Sequence, residues 1–262
     1  MGLRNEVPLP AAACAAAPRA GLRVRASVVV ARMRGLTRAA VHLEATCVAR
    51  LLEEFFAAMT DVAVGHRAVI DTLLGDAIVL LYGVPVPGRD DALRAVRSAV
   101  EMQRAFLALR NRWAARGEAS VAQVGLAIGA AAGEIVIASL RPGMWLDCTA
   151  VGEPVNTAVD LCTAARGGET LIDEAAHASA FVRLEDELRF TSCTLGARSR
   201  AARLAYRVGP QRAGLRVVAP RPALDPVCGS VVDPRRGVRE GDRYFCSAAC
   251  ARRFLDERGR GG

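Results

Sequence analysis

Ile70-Asp-Thr-Leu-Leu-Gly-Asp-Ala-Ile-Val-Leu-Leu-Tyr-Gly83 is the stretch on which the fold turns. Two apolar runs, Val69 to Leu73 and Ala77 to Tyr82, flank Gly75-Asp76, a pattern that predicts two strands joined by a tight hairpin. Upstream, Ala26-Ser-Val-Val-Val-Ala31 reads as a buried strand, which Gly35 and Thr37 break into a helix start. Between 40 and 64, Val41, Cys47, Val48, Leu51, Leu52, Phe55, Phe56 and Met59 recur at spacings of three and four, the mark of an amphipathic helix. A second long helix runs from Asp90 to Arg116, with Ala92, Val96, Val100 and Phe106 among its apolar positions. Downstream, Val124 to Ile128 and Glu134 to Ser139 read as two further strands, and a loop follows at Arg141-Pro-Gly143. A third helix covers about Val155 to Ala165, and two or three short elements lead to Val208. Helices alternating with mostly antiparallel strand pairs give class α+β.

The chain has 262 residues, 52% of them hydrophobic, enough for one full core of about 180 to 200 residues and a tail. Residues 1–21, rich in Ala and Pro, carry no period and read as a disordered leader. Leu9-Pro-Ala-Ala-Ala-Cys14 has the outline of a lipoprotein cleavage box, but the thirteen residues before Cys14 include Glu6 and hold no apolar core segment. The Pro- and Arg-rich stretch 210–222 reads as a linker. The formal net charge is +8, and every basic side chain is arginine, because the chain contains no lysine. The arginines are scattered and few aromatics lie among them, so no nucleic-acid partner is expected. The longest apolar run is broken at Gly83 and Pro85, short of the roughly 18 residues of a membrane span. Eight cysteines without a secretory signal point to a reducing, cytoplasmic setting, where clustered cysteines are more often metal ligands than disulfides.

Four stretches, in this order and at these separations, carry a resemblance: Val28-Val-Val-Ala-Arg-Met-Arg-Gly-Leu-Thr37, Ile70 to Gly83, Ile128-Gly-Ala-Ala-Ala-Gly-Glu134, and Asp147-Cys-Thr-Ala-Val-Gly-Glu-Pro-Val-Asn156. Over about residues 22–209 the chain resembles the class III adenylate/guanylate cyclase catalytic domain. The resemblance implies a ferredoxin-like fold, with a central, mostly antiparallel sheet and flanking helices. Members of that family convert ATP or GTP to a 3′,5′-cyclic nucleotide between two paired domains, with two metal ions, Mg or Mn, held by two aspartates. The first of those aspartates falls on Arg32 and the second on Asp76. The base-selecting lysine falls on Thr72, and its companion on Thr149, where aspartate or threonine usually accompanies adenine. Asn156 matches the ribose-orienting asparagine, whereas Asp160 stands where the family has an arginine that stabilises the transition state. Arg166 lies nearly two turns beyond and is a poor substitute.

Each retained residue also has a purely structural reading: Asp76 as a turn residue, Thr149 as a strand residue, Asn156 as a helix cap. Arg32 has two readings as well, a surface or ion-paired arginine and a grip on a triphosphate in place of metal. Damage to both halves of the shared site implies pairing without turnover, as a homodimer or as a heterodimer with another cyclase-like domain, with ATP a candidate ligand. A weak or partner-dependent adenylate cyclase is the alternative, and a metal-binding scaffold without a nucleotide role is another.

Residues 223–258, opening Asp225-Pro-Val-Cys228-Gly and ending Tyr244-Phe-Cys246-Ser-Ala-Ala-Cys250-Ala-Arg-Arg-Phe254, resemble the YHS domain, a small Cys-rich, treble-clef-like module. At a helix start, positions i and i+4 share a face, so Cys246 and Cys250 can chelate one ion that Cys228 closes from a hairpin. Three thiolates favour zinc or Cu(I). The tail holds no histidine, which leaves Asp225, Asp233, water or a second chain as the fourth ligand, and cysteines packed without metal as the alternative. His42, His66, His177, Cys47, Cys148, Cys162 and Cys193 are isolated and read as structural.

Overall fold

The computed structural model describes residues 21–139, 148–195, 203–210, 223–228, 231–232, 238–240 and 243–259. The chain forms two units, Met1–Gln211 and Arg212–Gly262. The leader (1–20), the loop at 141–143, the linker (211–222) and Asp233 fall outside the described residues.

The first unit is an eight-stranded sheet with helices on both faces. Its elements are β1 (Leu22–Arg34), α1 (Leu36–Ala40), α2 (Ala45–Gly65), β2 (Val69–Leu74), β3 (Ala77–Tyr82), α3 (Asp91–Ala115), β4 (Gly125–Ser139), β5 (Cys148–Val151), α4 (Glu153–Ala164), β6 (Thr170–Ile172), α5 (Glu174–Leu184), β7 (Leu188–Leu195) and β8 (Arg203–Pro210). The strands run β2-β3-β1-β4-β6-β8-β7, with β5 paired to the end of β4; among the described residues only β4 and β6 are parallel. The expected Gly75-Asp76 hairpin is there, with Gly75 at φ 59°.

Side chains alternate across the sheet and so build two cores. Val29, Ala31 and Met33 of β1 join Leu51, Phe55, Met59 and Ala63 of α2 and the apolar stripes of α3 and α5. Val24, Ala26, Val28 and Val30 point the other way, toward Ala158, Leu161 and Cys162 of α4. Arg32 has the parity of this second set, so β1 delivers it to the face that α4 covers. On the first face, Trp113 is fully buried, and its indole N–H donates to Glu54 Oε2 at 2.9 Å.

Three expectations need correction. Val124–Ile128 and Glu134–Ser139 are not separate strands but parts of one 15-residue strand, running straight through Gly129-Ala-Ala-Ala-Gly133. The small residues allow α4 to lie directly on the strand: a Cβ on Gly129 would fall 2.1 Å from Ala158 O and 2.3 Å from Cys162 N, and one on Gly133 2.8 Å from Pro154 Cγ. The helix expected over 40–64 starts only at Ala45, as α2, and Val41 lies exposed in the turn that separates it from α1. Asn156 does not cap a helix, because α4 starts earlier, with Gly152 at the cap and Pro154 in the first turn.

In the second unit, β9 (Ala223–Leu224) pairs with β10 (Val231–Val232), β11 (Val238–Glu240) pairs with β12 (Arg243–Phe245), and α6 (Ala248–Gly259) follows. Its small core includes Val232, Phe245 and Ala251, and the Phe245 and Phe254 rings lie 5.3 Å apart. Among the described residues, no helix is long and apolar enough to cross a membrane.

Candidate functional site

The β2–β3 turn sets Asp76 beside the end of β1, where Met33 N donates to Asp76 O at 3.0 Å. From the neighbouring position Arg32 Nε donates to Asp76 Oδ1 at 2.9 Å. The carboxylate is 18% exposed and the guanidinium side chain 51%, so the pair lies half in water. Of the two readings of Arg32, the ion-paired one matches this geometry. The donor set does not fit a pair of divalent ions, since the first expected carboxylate is replaced by a cation, Arg32, that is bound to the second, Asp76.

Thr72 and Thr149 are brought together through a residue that the sequence reading passed over. Thr72 Oγ1 donates to Asp71 Oδ2 at 2.9 Å, Thr149 Oγ1 donates to the same oxygen at 3.5 Å, and Ala150 N donates to Asp71 Oδ1 at 3.0 Å. One carboxylate thus ties β2 to β5, strands that are not neighbours in the sheet. A register shift between Ile70 and Thr72 underlies the arrangement, because a regular strand would send Asp71 and Thr72 to opposite faces. Burial pushes the Asp71 carboxyl above its usual range, against the opposing pull of bonds from Ala150, Thr72 and Thr149. The available signal was an acid inside an apolar strand run; the bulge that turns it inward has none.

Asp71→Ala strands the Ala150 N–H and both hydroxyls, and should cost about 1–3 kcal/mol. Asp71→Asn keeps an acceptor and supplies a donor, and should stay within about 1 kcal/mol of the parent at neutral pH. The raised carboxyl pKa sets the sign of the pH effect. Stability linked to protonated Asp71 is full below the unfolded value and is lost as pH rises through the folded one. Any advantage of Asp71→Asn should therefore shrink on acidification, as urea unfolding at several pH values will read.

Asn156 and Asp160 sit one turn apart on the exposed face of α4. The helix is fixed at its other end by Arg34, whose Nη2 donates to Cys162 O at 3.2 Å and also to Thr163 O. The isolated histidines are accounted for locally: His66 bonds Glu101 at 2.7 Å, His177 stacks on Tyr206 with centroids 3.6 Å apart, and His42 is exposed.

In the second unit Asp225, Cys228, Cys246 and Cys250 bring one potential ligand atom each within 4.8 Å of the others. Cys228 lies in the β9–β10 turn, Cys246 just before α6 and Cys250 in its first turn, where Cys250 N donates to Ser247 Oγ at 3.3 Å. Cys246 Sγ is 3.5 Å from Cys228 Sγ and 3.6 Å from Cys250 Sγ. A tetrahedral ion with metal–sulfur bonds of about 2.3 Å spaces its sulfurs by about 3.8 Å, so the thiols need only small shifts. The Asp225 carboxylate and the Cys228 and Cys250 sulfurs push the Cys246 thiol up to about 12. Such crowding of groups that would all carry negative charge is what a bound cation relieves.

No protein-family model matches the chain. It is 31% identical over 144 residues to the uncharacterized protein Rv1319c of Mycobacterium tuberculosis, a match over 54% of this chain and 24% of that protein. The chain thus spans about a quarter of the length of that relative. Among solved structures, it is similar to the adenylyl cyclase CyaB from P. aeruginosa, with a TM-score of 0.66, 24% identity, and coverage of 74% of this chain and 98% of that one. The guanylyl cyclase Cya2 aligns with a TM-score of 0.63 at 25% identity, over 74% and 96% of the two chains. Only the first unit is large enough to supply such a match, and it has the fold of the class III adenylyl and guanylyl cyclase catalytic domains.

Proposed function

We propose that this chain is a degenerate, non-catalytic cyclase-fold protein that pairs with another cyclase-like domain, as a homodimer or heterodimer, and carries a metal-binding or metal-sensing YHS tail. The observation that carries the reading is the Arg32–Asp76 ion pair, at 2.9 Å. Cyclisation needs the ribose 3′-oxygen to attack the α-phosphorus while cations offset the charge on the leaving pyrophosphate. Here Arg32 neutralises the one retained carboxylate, and Asp160 stands where an arginine would face the phosphates. Loss of such an arginine alone costs factors of about 10³–10⁵. Thr72 and Thr149 both point their hydroxyls at Asp71, so the base-selecting positions are bonded within the chain. The tail supplies three thiols and a carboxylate within 4.8 Å, a donor set suited to zinc or Cu(I). Thiols kept reduced for that purpose fit a cytoplasmic setting.

The purified chain, given ATP or GTP with Mg²⁺ or Mn²⁺, should form no cyclic nucleotide above the level of buffer. Cyclic AMP that appears in this assay and disappears with Asp76→Ala would sink the reading. That result would favour a weak or partner-dependent adenylate cyclase, which the preserved Thr149, Asn156 and Asp76 support. If neither nucleotide nor a second cyclase-like domain binds, the remaining reading is a scaffold for the metal tail.

A further inference from the structure

Asp225 is only 1% exposed, and both its oxygens are engaged by the backbone. Oδ1 accepts from Val227 N at 2.8 Å and from Cys228 N at 3.4 Å, and Oδ2 accepts from Cys246 N at 2.8 Å. A carboxylate offers about four lone-pair sites, so most of its accepting capacity is spent on these donors. The bonds have a clear geometric effect: they fix the backbone of Cys228 and of Cys246, from two separate hairpins, onto one anchor. A carboxylate whose lone pairs are taken up by backbone N–H groups in this way has little left to offer a metal. The sulfurs of Cys228 and Cys246, by contrast, belong to exposed residues, so the cluster opens at the surface.

Resting on the reading that the tail binds metal, we propose that Asp225 is a positioning residue and not the fourth ligand. The centre is then a three-thiolate site whose remaining coordination position is taken by an exchangeable ligand from solution. Such a site suits a thiophilic ion that is content with three sulfurs, Cu(I) above all, and lets a small thiol or a partner's thiol enter the coordination sphere and receive the ion. Zinc would be held there with one labile position, unlike a closed structural zinc site. No bond within the chain has to break for the ion to leave except the three metal–sulfur bonds.

The test loads the full chain, without oxygen, with Co(II) as a spectroscopic probe, and in parallel with Cu(I) against a chromophoric chelator. One ion per chain is expected, with thiolate-to-cobalt absorption of three sulfurs. Azide or a small thiol should then shift the cobalt ligand-field bands. Asp225→Asn should keep the three-sulfur signature while weakening the ion by about 10–100-fold, the range found when a group that orients a ligand is lost. Bands that ignore azide and thiol overturn the proposal, because they mean that a group of the chain, Asp225 or another, fills the fourth position. Exchange in the unmodified chain needs no variant, so it decides the matter even if Asp225→Asn fails to fold. Absence of any stoichiometric ion would overturn both this proposal and the metal-binding reading beneath it, and is distinguishable from an ion bound at a closed site.

Discussion

Alanine at Gly129 should destabilise the first unit by about 3 kcal/mol, a large share of the 5–15 kcal/mol that holds a typical domain together. The added methyl would meet two backbone atoms of α4, Ala158 O at 2.1 Å and Cys162 N at 2.3 Å, both closer than real Cβ contacts come. A long side chain could swing aside, but a helix backbone can yield only by lifting as a body. Lifting α4 uncovers Leu161 and Cys162, which pack on Val28 and Val30 of β1, and pulls on the carbonyls that Arg34 holds. The same motion displaces Asn156 and Asp160, so stability and site geometry fail together. Gly209→Ala is the control: no atom lies within 4 Å of its added Cβ, and it should leave the urea midpoint nearly unchanged. Equal midpoints for the two variants would show that α4 does not bear closely on β4.

That close approach marks the boundary of what the chain's letters disclose. The β2–β3 hairpin and the long helices α2 and α3 are legible, because apolar period and a Gly-Asp turn are local properties. Gly129-Ala-Ala-Ala-Gly133 is not, since glycine and alanine are poor strand formers and the reason for them lies on another element. Their smallness serves α4, some thirty residues further along the chain. Asp71 escaped for a related reason: its role depends on a bulge that puts consecutive residues on one face, and strand alternation argues the opposite. Of the cysteine cluster, spacing places Cys246 and Cys250 one turn apart, while Cys228 joins them through the resemblance to the YHS domain. The three backbone bonds that occupy Asp225 depend on two hairpins meeting, and composition carries no trace of them.

Aspartate in place of Arg32 should turn the ion pair into a divalent-cation site, raising Mn²⁺ affinity by at least about 100-fold over the parent chain. The substitution changes the local charge by two units, and each unit at 4 Å is worth roughly 4 kcal/mol at an effective dielectric near 20. Part of that is spent holding two carboxylates together before the ion arrives, and part is screened, because Arg32 is 51% exposed. A hundredfold gain, about 2.7 kcal/mol, is therefore the conservative expectation. Arg32→Ala should fall between the two, since it frees Asp76 without adding a ligand. Manganese is a hard ion that thiolates hold poorly, so the tail adds little to the signal, and Asp76→Ala in the Arg32→Asp background should abolish the gain. Calorimetry or the paramagnetic spectrum of free Mn²⁺ reads each case directly. The restored metal site should still not turn over ATP, because Asp160 continues to repel the phosphates. Adding Asp160→Arg should then raise cyclic AMP formation by about 10³-fold or more over the metal-restored chain. If Arg32→Asp binds Mn²⁺ no better than the parent, the Arg32–Asp76 pair is not what closes this site to metal, and the non-catalytic reading loses its main support.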